Sequence, residues 1–65
     1  MLLNNREFEH YKKNMTIQDV IDIMNFTYPR LVVKVNGHLI QKNEYGQTQL
    51  NENDDVKIHH LLAGG

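Results

Sequence analysis

The chain has 65 residues, of which 40% are hydrophobic and 23% are charged, and its formal net charge is -1 at pH 7. This length predicts one domain over residues 1–65 with a small core, because short chains bury a smaller share of their surface. The slightly negative net charge argues against a nucleic-acid-binding protein. The lack of cysteine excludes disulfides and thiolate chemistry. No apolar run reaches the roughly 20 residues of a membrane span. We therefore expect a soluble cytoplasmic protein that binds neither nucleic acid nor membrane.

The first predicted element is a β-hairpin in MLLNNREFEHYKK. Asn4-Asn5 lies between two short predicted strands, and asparagine tolerates the left-handed backbone that tight turns require. The apolar residues expected to anchor this hairpin are Leu3, Phe8 and Tyr11.

A short amphipathic helix is predicted next, in NMTIQDVIDIMNF. Thr16 and Asp19 have the spacing of a capping box, with Asp in place of the usual Glu or Gln. Apolar residues at i, i+3, i+4 and i+7 form one apolar stripe, namely Ile17, Val20, Ile21 and Met24. Met15, Met24 and Phe26 are expected to pack in the core or at the helix end. Pro29 is expected to end any continuation of the helix.

The stretch LVVKVNGHLI predicts a second hairpin, because Asn-Gly between apolar runs is typical of a type I′ turn. A polar loop follows in QKNEYGQTQLNENDD, with one short helical turn and with Tyr45 and Leu50 pinning it to the core. VKIHHLL is the last predicted strand, with Val56 and Ile58 on one face. This order predicts an α+β fold in which one helix covers a small mixed sheet, the order of the ubiquitin-like β-grasp.

Four histidines raise the question of a metal site. His59 and His60 are neighbours on a strand, so their side chains point to opposite faces. His10 and His38 lie on other predicted strands, and no cysteine is present to complete a zinc site. We therefore expect exposed histidines and no metal ion.

Catalytic groups are also absent from the sequence pattern. The chain has no serine or cysteine for a nucleophile, and its glycines form no phosphate-binding loop. The adjacent acids Asp54-Asp55 are interpreted as a solvated turn. We predict no catalytic residue, no bound cofactor and a protein that is not an enzyme.

The chain closes with LLAGG, directly after the last predicted strand. Glycine adds no side chain, so a flexible Gly64-Gly65 tail can thread a narrow channel and present its carboxylate for reaction with ATP. The alternative is an inert, frayed end.

Three segments, VNGHLI, NEYGQTQLNENDDVKI and the final AGG, resemble the ThiS family, the small ubiquitin-like sulfur carriers of thiamine biosynthesis. The resemblance covers nearly the whole chain and is specific over residues 35–65. The matching positions are the Val35-Asn36-Gly37 hairpin, the aromatic Tyr45, Leu50 and the Gly-Gly end.

Two positions depart from the family pattern. Ile40-Gln41-Lys42 replaces Val-Pro-Arg, which could alter a partner contact because lysine lacks the planar fork of arginine. Asn53-Asp54 replaces a Gly-Asp turn, and Asn53 is expected to supply the positive φ.

The resemblance implies that an E1-like adenylyltransferase of the ThiF type uses ATP to adenylate the Gly65 carboxylate. Sulfur then replaces the adenylate, and the thiocarboxylate donates its sulfur to a thiazole synthase of the ThiG type. The predicted tail and partner-binding residues are Leu61, Leu62, Ala63 and Gly64. For Leu61 and Leu62, ordinary strand packing is an equal alternative.

Two other functions stay open from the sequence. One is a MoaD-like small subunit of molybdopterin synthase, which shares the fold, the tail and the thiocarboxylate. The other is a β-grasp interaction module whose tail is inert. In each case we expect a monomer when the protein is alone.

Overall fold

The computed structural model describes residues 1–61, in which one α-helix packs on one face of a five-stranded sheet. The elements are β1 (Leu2–Leu3), β2 (Arg6–Glu7), α1 (Ile17–Met24), β3 (Leu31–Val35), β4 (His38–Ile40), a 3₁₀ turn (Lys42–Glu44) and β5 (Asp55–His60). The strand order is β2-β1-β5-β3-β4, with β1 and β5 parallel and the other neighbours antiparallel. The predicted α+β arrangement with a mixed sheet is confirmed.

Both predicted hairpins are present, and each turn has positive φ at both central residues. The values are 53° at Asn4 and 70° at Asn5, and 51° at Asn36 and 83° at Gly37. Turns of this kind match the right-handed twist of the strands that they join. The first hairpin is shorter than the sequence pattern suggests, with two residues in each strand.

The capping box at the start of α1 is confirmed. The Asp19 amide donates to the Thr16 hydroxyl at 3.3 Å, and the Thr16 amide donates to the Asp19 carboxylate at 3.0 Å. The helix ends earlier than Pro29, at Asn25, whose φ is 56°. The amide of Phe26 then donates back to the Ile21 carbonyl at 3.0 Å, which is typical of a Schellman-type helix end. No helix within residues 1–61 has the length and apolarity needed to cross a membrane.

The core lies between α1 and the sheet. Met24 is 41% exposed and is the last residue of α1, so it lies at the helix end, one of the two places predicted for it, and not in the core. The left-handed Asn25 ends the helix there, and the half-buried Phe26 packs against the core. Tyr11 is also half-buried and packs against the core, and the other predicted core residues are buried. The core also includes Met1 and Val33 and consists of Met1, Leu3, Phe8, Met15, Ile17, Val20, Ile21, Val33, Tyr45, Leu50, Val56 and Ile58.

The polar loop between β4 and β5 is held as predicted by Tyr45 and Leu50, which are 7% and 2% exposed. The Leu50 amide donates to the Met15 carbonyl at 2.7 Å, and its carbonyl accepts from the Tyr11 hydroxyl at 3.0 Å. The loop is therefore tied to the segment that precedes α1.

The interpretation of Asp54-Asp55 as a solvated turn is wrong for Asp54, which is 9% exposed. One of its carboxylate oxygens accepts from the Asn36 side-chain amide at 2.9 Å, and the other accepts from the Asn51 backbone amide at 2.8 Å. Asn53 is also not among the residues with positive φ. The Asp54 carboxylate, rather than a left-handed residue at position 53, stabilises this turn.

We predict that Asn36→Asp lowers the free energy of unfolding by about 2 kcal/mol at neutral pH, because it replaces a donor to the Asp54 carboxylate with a second carboxylate. Urea denaturation at neutral pH measures the loss. The control, Asn43→Asp, adds the same charge at an exposed position of the 3₁₀ turn. Equal losses in the two variants would contradict the role given to this contact.

Candidate functional site

The predicted tail begins where the central strand of the sheet ends. Strand β5 lies between β1 and β3 and ends at His60, and the Leu61 amide donates to the Arg30 carbonyl at 3.0 Å. This hydrogen bond holds the chain against the residue before β3. The other predicted tail residues lie outside the residues that the structure describes; they are Leu62, Ala63, Gly64 and Gly65.

Two asparagine side chains fix β5 from the turns on either side. Asn4 accepts from the Ile58 amide at 2.8 Å and donates to the Ile58 carbonyl at 3.1 Å, so its side chain continues the pairing of β1 with β5. Asn36 accepts from the Asp55 amide through its side chain at 2.9 Å and donates to the Asp55 carbonyl through its backbone at 2.8 Å. The sequence pattern predicted turns at Asn4 and Asn36, but nothing in it indicated that their side chains bind the backbone of β5.

Leu61 is 56% exposed, so its side chain is accessible rather than packed within the strand. The ring of His60 stacks on that of Tyr28, with centroids 4.1 Å apart and planes 15° apart. Tyr28 is itself 49% exposed. Apolar and aromatic surface therefore surrounds the point from which the tail departs.

An open groove of about 470 Å³ lies beside Leu61. The segment after α1, the start of β3 and the end of β4 form most of it. Its lining includes two exposed cationic residues, Arg30 and Lys42, and contains no acidic residue. The sequence analysis did not predict this groove, because it forms only when residues 26–31 fold beside β4.

Tyr45 contributes to both the core and the groove lining. Burial raises the pKa of the Tyr45 phenol above its ordinary value of 10.0. The phenol is therefore neutral at physiological pH and keeps its hydroxyl proton.

The four histidines are exposed, as predicted. Within residues 1–61, no group of three histidine or acidic side chains is placed to hold a metal ion.

Known proteins of similar sequence and fold match almost the whole chain. The model of the ThiS family matches residues 1–65. The sulfur carrier protein ThiS of Bacillus subtilis is 29% identical over 63 residues, which are 97% of this chain and 96% of that protein. The crystal structure of the thiamine biosynthesis protein ThiS from Geobacter metallireducens superimposes with a TM-score of 0.81 at 14% identity, over 98% of this chain and 96% of that one.

We predict that burial of the Tyr45 phenol makes the fold less stable in alkali. A raised pKa in the folded state favours the neutral phenol, so this stability is present below pH 10.0 and is lost as pH rises through the folded-state pKa. Urea denaturation of the unaltered protein and of Tyr45→Phe, at neutral and at strongly alkaline pH, measures this effect. The unaltered protein should lose more stability between the two conditions than Tyr45→Phe, which has no phenol at position 45 to ionise. Equal losses in the two proteins would contradict the prediction.

Proposed function

Because the chain belongs to the ThiS family of sulfur carrier proteins in thiamine biosynthesis, we propose that the carboxylate of Gly65 is the group that carries sulfur. The observation that supports this most directly is the family match over residues 1–65, which includes the Gly64-Gly65 end. A carrier of this family is not a catalyst. It works with an enzyme that activates it and with a thiazole synthase that receives the sulfur.

The chemistry proposed for Gly65 has two steps. A carboxylate oxygen attacks the α-phosphorus of ATP in the active site of an E1-like adenylyltransferase, which forms an acyl adenylate and releases pyrophosphate. A hydrosulfide equivalent from a sulfur donor then attacks the carbonyl carbon. A C–S bond forms as the C–O bond to AMP breaks, so AMP leaves and a thiocarboxylate remains. Its nucleophilic sulfur is then passed to thiazole synthase.

The geometry before the tail supports this division of roles. The hydrogen bond from Leu61 to Arg30 gives the tail a fixed origin on the central strand. Four further residues can span at most about 14 Å when extended, so a partner can bind the folded body and still reach the carboxylate. The last three, Ala63-Gly64-Gly65, carry almost no side chain and would pass through a narrow channel.

We predict that incubation with ATP, an E1-like activating enzyme and a sulfur donor increases the intact mass by the exchange of one oxygen for one sulfur. Removal of Gly65 should abolish the increase, and Gly64→Val should strongly reduce it, because a branched side chain obstructs a narrow channel. Intact-protein mass spectrometry provides the measurement.

Gly46→Ala is the matched control, since an added Cβ at Gly46 would meet nothing within 4 Å. It should gain sulfur as the unaltered protein does. An equal gain by the protein that lacks Gly65, or no gain by the unaltered protein with an enzyme of verified activity, would contradict the proposal. Addition of thiazole synthase and its carbon substrates should then remove the sulfur. Transfer to molybdopterin synthase alone would support that pathway instead.

A further inference from the structure

The groove beside Leu61, here called the tail-root groove, is open to solvent at the edge of the sheet. Its apolar lining includes Phe26, Tyr28, Leu31 and Ile40. Gln18 and Ile21 of α1 also line the groove. The left-handed Asn25 ends α1, and β4 is an edge strand of the sheet, so no further strand within residues 1–61 lies beyond β4.

The charge of the tail-root groove differs from that of the whole chain. The chain has a net charge of -1, yet the groove lining has two cations and no anion. Among residues 1–61, the side chains of Arg30 and Lys42 have no carboxylate within salt-bridge distance. The groove is therefore complementary to a ligand that combines an apolar group with a negative charge.

The groove also lies directly at the origin of the tail, because Leu61 lines it and is hydrogen-bonded to Arg30. A protein bound there would contact the folded body one residue before the remaining four-residue tail. Binding at this place restricts the positions that the Gly65 carboxylate can reach. An enzyme that must align this carboxylate with ATP gains orientation from such a contact.

We propose that the tail-root groove is the docking site for the activating enzyme, which inserts a large apolar side chain flanked by acidic residues. The apolar side chain contacts Phe26, Tyr28 and Ile40, and the acidic residues face Arg30 and Lys42. This inference rests on the proposed function, because that function requires an activating enzyme. Two cations are too few to favour a nucleic-acid backbone over such a protein segment.

The test compares charge reversal in the groove with the same change elsewhere. The variant Arg30→Glu/Lys42→Glu should raise the KM for the carrier in the adenylation reaction about tenfold or more, with little change in kcat. The control Lys12→Glu/Lys13→Glu makes an equal change in net charge at two exposed residues in the segment before α1. Pyrophosphate release with the full chain as the varied substrate measures both constants, and circular dichroism verifies folding.

A second variant and a salt series separate docking from general charge effects. Tyr28→Ala removes an apolar contact without a change in charge and should also raise KM. The KM of the unaltered protein should rise with salt, and that of Arg30→Glu/Lys42→Glu should lose this dependence. Equal KM values for the groove and control variants would overturn the proposal, as would a defect confined to sulfur transfer to thiazole synthase.

The Kd of carrier and activating enzyme without ATP distinguishes this inference from the proposed function. If the unaltered protein binds but is never adenylated, the proposed function fails, and weaker binding by the groove variant alone still supports the docking site. If Gly65 is adenylated and both double variants bind with the same Kd, the docking site is wrong and the carrier function stands. No binding by the unaltered protein would overturn the docking site.

Discussion

Strand β5 holds the two halves of the sheet together. This strand pairs in parallel with β1 and antiparallel with β3, so it joins the first hairpin to the second. Its residues Val56 and Ile58 are 0% and 4% exposed and lie in the core beneath α1. The carboxamides of Asn4 and Asn36 hold its backbone from the two hairpin turns. Backbone groups that lack a hydrogen-bond partner are costly when buried, so these two side chains add to the pairing of a sheet whose first strands contain only two residues each.

The same strand connects stability to function. A small domain buries little surface, so it has few contacts with which to hold a long segment in place. The start of a tail is therefore best held by the most stable element of the domain. Here the attachment is the central strand, extended by the hydrogen bond from Leu61 to the Arg30 carbonyl. The folded body then provides a fixed origin for the four residues that follow Leu61 in the sequence.

Local rules predicted much of this fold, because several signals act within a few residues. Asn36-Gly37 specified a turn, and Thr16 with Asp19 specified the start of α1. Two failures, at Asp54 and in the tail-root groove, have a common cause in contacts between segments distant in sequence. From the sequence alone Asp54 is expected to be solvated, whereas in the fold Asn36, eighteen residues earlier in the chain, lies beside it and donates a hydrogen bond to it. The tail-root groove was missed for the same reason, since residues 26–31 and β4 contribute its lining from different parts of the chain. For the site, the sequence left a partner contact and strand packing equally open for Leu61, and in the structure its side chain is 56% exposed.

The chemistry of Lys42 bears on how selective the tail-root groove can be. The resemblance to the ThiS family implies arginine where this chain has Lys42, and lysine is a compact charge on a flexible stem rather than a planar fork. A partner carboxylate facing Lys42 therefore needs to be near but need not be aligned in one plane. Arg30 keeps the planar geometry, and its own carbonyl is the acceptor for Leu61. If an acidic partner binds here, the planar guanidinium of Arg30 is the group that orients the partner carboxylate. The backbone of Arg30 also fixes the origin of the tail. Binding of the partner and orientation of the tail would then depend on the same residue.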